Sequence, residues 1–176
     1  MDPPKVDPID SHVTRRKMST EHCSKVLIAM DGSDHSNYAF DWYMDRLHRK
    51  GNNVVVAHCP DYSAIYHTPG ISGDASLIAE ILREEAVKME IIIDKLRERL
   101  TKTGVPGRIL RLTGKPGSSL VKAAEEEEVD YVVTGTRGLG KVSRAILGSV
   151  SDYIVHHSHV PVFVCQKPKE ESHHQV

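Results

Sequence analysis

The residues with the clearest capacity for chemistry are three glycines, Gly135, Gly138 and Gly148, spaced Gly-x2-Gly-x9-Gly and followed directly by Ser149. An apolar run at 129–134 leads into them. A strand that breaks at glycine and re-enters a helix aims backbone N–H groups and a helix N-terminus at one point, which suits a phosphate. Glycine is needed because a residue without Cβ lets the chain approach an anion closely and take positive φ. On that reasoning Gly135→Val and Gly148→Val should abolish binding and leave the fold intact. Two familiar phosphate loops do not fit. The P-loop pattern needs Ser or Thr after its lysine, but Gly140-Lys141 is followed by Val142. The dinucleotide pattern ends on a glycine where Ser143 stands.

The rest of the chain reads as the scaffold for such a loop. Residues 25–30 (KVLIAM) form a short apolar run that stops at Asp31-Gly32-Ser33, and 54–59 (VVVAHC) form another. Runs with so little alternation suit strands buried on both faces of a parallel sheet. Ser33 or Asp34 can cap the helix between them, whose Tyr38, Ala39, Trp42 and Leu47 supply an apolar side. Residues 60–75 hold prolines and glycines without periodicity and read as a long loop. From Ile78 through Leu82, Met89, Ile92, Ile93, Leu96 and Leu100 the apolar positions step at helical spacing until Gly104. Residues 107–113 (GRILRLT) predict an edge strand, since Arg108 and Arg111 interrupt it. Gly114 and Pro116 mark a turn into a short helix with Leu120, Val121 and Ala124, and the glutamates at 125–128 read as its solvated end. The strand at 129–134 follows, then the glycine loop. Next come a helix with Ala145, Ile146, Val150, Tyr153 and Ile154 and a last strand at 160–165 (VPVFVC). Alternating strands and helices imply a single α/β domain of three layers, because parallel neighbours need crossovers. In such sheets ligands bind beyond the carboxyl ends of the strands, where the strand order reverses.

The glycine spacing in its strand–loop–helix setting resembles the nucleotide-binding branch of the universal stress protein family. The resemblance covers residues 23–166, flanked by tails at 1–22 and 167–176. It implies a Rossmann-like, adenine nucleotide alpha hydrolase-like fold with a five-stranded parallel sheet of order 3-2-1-4-5. The end of strand one then lies beside the end of strand four. It also implies roles for particular residues. Asp31 matches the family's acid beside the ribose and phosphates, where it would meet a divalent cation; its other reading is an Asp-Gly turn. Ala29 and Met30 would give backbone contacts to the base or ribose. Cys59 stands where the family has an aliphatic residue lining the adenine pocket, a packing role open to a small thiol. His58 resembles a histidine frequent at this strand end and reads as packing rather than catalysis. Gly135, Thr136, Arg137 and Gly138 would wrap the phosphates, with Gly140 and Lys141 continuing the loop. Gly148, Ser149, Val150 and Ser151 would complete the cradle through N–H groups and two hydroxyls. Lys141, Ser143 and Arg144 would add polar groups to the pocket or simply start a solvated helix. The implied ligands are ATP and Mg²⁺. Family members also pair their fifth strands across a two-fold axis, which implies a homodimer through 160–165 and agrees with the apolar character of that edge.

Composition narrows the classes. With 23 basic against 24 acidic side chains, the charge gives no general pull toward nucleic acid or a membrane surface. No apolar run approaches the roughly 18 residues of a membrane span, and the polar N-terminus does not read as a signal peptide. A soluble cytoplasmic protein is expected. Cys23, Cys59 and Cys165 have no paired spacing and read as thiols. The eleven histidines show no zinc-site spacing. Phosphoryl transfer needs a positioned nucleophile or water besides metal and positive charge, and beyond Asp31 the glycine loop offers no second acid. The sequence therefore favours an adenine-nucleotide-binding sensor or regulator, with no residue assigned as catalytic. The alternatives are a slow Mg-dependent ATPase or phosphotransferase, and a dimeric scaffold without nucleotide.

Overall fold

The computed structural model describes residues 23–62, 75–136 and 147–168. Its elements are β1 (Lys25–Ala29), α1 (Asp34–Arg46), β2 (Asn53–His58), α2 (Ala75–Thr103) and β3 (Gly107–Arg111), then α3 (Pro116–Glu126), β4 (Tyr131–Gly135), α4 (Ser149–His157) and β5 (Val162–Cys165). The strands form one sheet of order β3-β2-β1-β4-β5, with every neighbouring pair parallel. This is the expected topology.

The sheet separates two apolar layers. On one face Val26, Ile28, Val54 and Val56 pack with Phe40 and Tyr43 of α1 and Leu96 and Leu100 of α2. On the other, Leu27, Ala57 and Val132 meet Leu120 and Ala124 of α3 and Ile154 of α4. Adjacent strand residues thus serve opposite layers, which is why the central strands need apolar side chains at every position. The buried side of α1 is Ser36, Ala39, Phe40 and Tyr43. Tyr38, Trp42 and Leu47, expected to form that side, are only partly buried and pack against it.

Two further departures matter. Glu127 does not belong to a solvated helix end: its side chain is only 15% exposed and pairs with Lys25 Nζ at 2.9 Å and with Arg108. It thereby ties the end of α3 to the starts of β1 and β3. The second concerns α2, whose 29 residues span roughly 43 Å at 1.5 Å each, far longer than the strands. Its buried positions begin only at Ile93. Ile92 lies against Gly32, just past the end of β1, so the helix before Ile92 stands beyond the carboxyl edge of the sheet. Leu77, Leu82, Val87 and Ile91 on this overhang are 40–57% exposed, and of these only Leu82 belongs to the apolar stripe read from the sequence. Arg111 of β3 grips Glu90 through both guanidinium nitrogens and fixes the base of the overhang. Among the described residues no helix is long and apolar enough to cross a membrane.

Candidate functional site

The sheet reverses its order between β1 and β4. The register pairs Ile28 with Val133 and Ala29 with Ala57. Continued past the strand ends, it sets Cys59, Asp31 and Thr136 in one row along the carboxyl edge. The sequence placed its candidate residues along that edge.

Thr136 is the knot of the arrangement. Only 5% exposed, it donates its N–H to the Cys165 carbonyl at 3.1 Å. Its own carbonyl accepts the Gly148 N–H at 2.6 Å and the Ser151 hydroxyl at 3.0 Å. One carbonyl therefore holds both ends of the glycine loop together and seats the start of α4 against the end of β4. Gly148 caps α4 in an extended conformation without a side-chain cap, and the Asp152 N–H is the one that reaches back to the Gly148 carbonyl, at 2.9 Å. The N–H groups of Ser149, Val150 and Ser151 precede that first helical bond, which makes them the natural donors to an anion. Ser149 is exposed, whereas Ser151 is buried with its hydroxyl 2.9 Å from the Gly148 carbonyl. Of the two hydroxyls expected in the cradle, that of Ser151 is turned inward and serves the clasp.

Along β1, the Met30 N–H donates to the Ala57 carbonyl at 2.9 Å, and the Met30 carbonyl accepts from His58 Nδ1 at 2.8 Å. The Met30 N–H is thus taken within the sheet, and any contact it offers a base or ribose comes through its carbonyl. His58 is buried, and among the described residues its Nε2 has no partner. Asp31 is half-buried and its Oδ1 accepts the Ser33 N–H at 3.0 Å, so the carboxylate does form the turn ahead of α1. That turn places it at the edge of the sheet rather than removing it from there. Ala29 is buried beside it. The Cys59 thiol lies 3.8 Å from the Gly114 carbonyl. Burial pushes its pKa up, opposed by a hydrogen bond from Ser119 and aided by the charge of Asp61. The raised pKa favours the neutral thiol, and the side chain is buried. Arg137, Gly138, Gly140 and Lys141, with Ser143 and Arg144, lie outside the described residues.

Gly135 corrects the expectation about its own role. A Cβ there would sit 2.7 Å from both the C and O atoms of His35 in the first turn of α1. The glycine is required for the close approach of α1 to β4, so Gly135→Val would disturb the fold as well as the site. The same contact brings in a residue the sequence reading passed over. His35 Nδ1 lies 3.3 Å from Thr136 Oγ1, joining α1 to the loop clasp. Nothing local marks His35, because its partner is 101 residues away.

Two grooves of the described surface lie elsewhere. A groove of about 170 Å³ runs between α1 and β5, lined by Tyr38, Trp42, Phe163, Val164 and Cys165. A shallower one lies between α2 and β3. Neither is lined by Asp31, Cys59 or Thr136.

A profile described as the universal stress protein family matches residues 23–166. The chain belongs to the universal stress protein family. A universal stress protein of Methanocaldococcus jannaschii is 31% identical over 147 residues, covering 84% of this chain and 84% of the relative. Another, of Thermus aquaticus, is 34% identical over 146 residues, covering 79% of this chain and 96% of the relative. Among solved structures, universal stress protein UspA of Lactobacillus plantarum matches with a TM-score of 0.67 at 25% identity, over 82% of this chain and 99% of that one. An Arabidopsis thaliana universal stress protein family protein with AMP bound gives a TM-score of 0.61 at 19% identity, over 84% and 94%. A universal stress protein in complex with cAMP gives 0.58 at 21% identity, over 82% and 97%. At those identities the last two speak to the fold.

Proposed function

We propose that this universal stress protein binds an adenine nucleotide, ATP with Mg²⁺, at the carboxyl edge between β1 and β4, and acts as a nucleotide-dependent sensor or regulator in the cytoplasm. The observation that carries the reading is the Thr136 clasp, which closes the glycine loop at its base and presents the uncapped start of α4 at the point where the strand order reverses. Phosphates suit such a helix start. The AMP and cAMP complexes of similarly folded family members support adenine as the base. In this reading residues 23–166 are the binding unit. Ala29, Met30 and Cys59 form the base side, and the glycine loop with Ser149 and Val150 forms the phosphate side.

Mg²⁺ keeps most of its waters and is commonly held by one or two carboxylates together with phosphate oxygens. Asp31, at the mouth of the site, fits that demand. When bound, the ion would neutralise phosphate charge, and Asp31 would orient it. Regulation outranks turnover here, because among the described residues no acid besides Asp31 stands in the row formed with Cys59 and Thr136. The exposed apolar edge at β5, centred on Phe163, supports a homodimer.

The test begins with protein purified without added nucleotide, denatured and chromatographed. Co-purified adenine nucleotide supports the reading. Asp31→Ala should then weaken ATP binding more with Mg²⁺ present than with chelator, and equal losses under both conditions would reject the metal role.

A further inference from the structure

We propose that His35 is a further residue of the phosphate site, whose imidazole meets the bound polyphosphate and couples its binding to the uptake of a proton. The inference rests on the nucleotide reading above and adds to it a residue and a pH dependence. His35 lies in the first turn of α1 with Nδ1 3.3 Å from Thr136 Oγ1. Thr136 is also the residue whose carbonyl joins the two ends of the glycine loop. The imidazole therefore touches the first residue of the loop, and it is only half-buried, leaving part of its edge open to a ligand. The placement is enforced by the backbone. Because Gly135 lacks a Cβ, α1 can press its first turn directly on the end of β4.

The residue type is informative as well. The first turn of a helix favours acidic or neutral groups and disfavours a fixed cation. An imidazole is neutral or charged near physiological pH according to its surroundings, so it can accept a proton as an anion arrives. Among the described residues, the groups around it are as follows. From its own element and the turn before it come Asp34, 3.8 Å from Lys167 Nζ, and Asp31, bound to the Ser33 N–H. From β4 come Gly135 and Thr136, which carry no charge. From β5 and its end come Cys165, whose thiol burial pushes up to about 11, and Lys167. From α2 come Arg99, whose Nη2 lies 3.4 Å from the Asn37 carbonyl in the same turn, and the apolar Ile92 at Gly32.

The experiment is calorimetric titration of Mg-ATP into the full chain and into His35→Gln, which keeps a donor for Thr136 but cannot take up a proton, between about pH 5.5 and about pH 8.5. For the wild type, affinity should rise roughly tenfold more across that fall in pH than for the variant. The wild-type binding enthalpy near neutral pH should depend on the buffer's ionisation enthalpy in the sense of proton uptake. The phosphate's own ionisation acts on both proteins and cancels in the comparison. Parallel pH curves with equal buffer dependence would overturn the role of His35 and leave nucleotide binding intact. Failure of the wild type to bind Mg-ATP at any pH would overturn the nucleotide reading and this inference with it. Should His35→Gln fail to fold by circular dichroism, His35→Asn and the wild-type buffer dependence decide, and a wild type that takes up no proton refutes the proposal.

Discussion

Replacing Gly135 by alanine isolates the closest contact in the site. The added Cβ would stand 2.7 Å from the C and O atoms of His35, below the 3.0 Å that real Cβ atoms keep. The obstacle is backbone, so no side chain can swing away, and α1 must shift as a body. Overpacking of this kind costs about 2–3 kcal/mol, which for a domain of this size lowers the melting midpoint by roughly 4–12 °C. Gly104→Ala supplies the contrast. It meets no atom within 4 Å but holds a φ of +65°, so its cost is conformational alone, about 1 kcal/mol. Thermal unfolding followed by circular dichroism should rank Gly135→Ala well below Gly104→Ala, and ATP affinity should fall with it as α1 separates from Thr136. A Gly135→Ala protein melting within a degree of wild type would show that the contact is not tight and that the glycine serves the loop alone.

Glu127→Ala should lower stability by about 1–2 kcal/mol at low salt, because it leaves Lys25 and Arg108 facing each other without their shared carboxylate. Unchanged melting would assign the pair no structural weight. Burial raises the pKa of both the Cys59 and Cys165 thiols, the latter to about 11. Below the ordinary thiol value of about 8.5 both folded and unfolded chains hold these protons, and above it only the folded chain does. Stability from Cys165 should therefore decline as pH rises from about 8.5 toward about 11, and Cys165→Ala should show a shallower decline in melting temperature. Exposed Cys23 should react with a thiol reagent well ahead of the other two, and three equal rates would contradict their burial. Phe163→Glu, on the exposed face of β5, should convert a dimer to a monomer in light scattering at micromolar concentration. A wild type already monomeric there would refute the edge pairing.

The sequence revealed most where one side chain type had one use. Apolar runs without alternation marked β1, β2 and β4, and their pairing into order 3-2-1-4-5 came with the resemblance that the glycine spacing carried. Reading failed where a residue's partner was remote. Glu127 looks solvated in a run of glutamates until Lys25 and Arg108 arrive from other strands. Gly135 looks like a loop glycine until α1 is laid against it, and His35 has no local signature at all. Periodicity misled at Leu82 of α2, which is 41% exposed, because an apolar stripe reports a face that favours burial, not whether the sheet extends far enough to cover it. Ser151 shows the same limit at the scale of one hydroxyl. Its place in the motif indicated a ligand contact, and the geometry gives its proton to a carbonyl of the clasp.

The most direct test of the account is calorimetric titration of nucleotide-stripped protein with Mg-ATP, with Mg-GTP as the comparison. The account predicts saturable one-to-one binding of ATP that is clearly tighter than that of GTP and is weakened in Gly148→Val, where a branched side chain would stand at the start of α4. Absence of heat at millimolar Mg-ATP from protein shown to be folded would contradict it, and would leave the Thr136 clasp as a structural joint between β4 and α4.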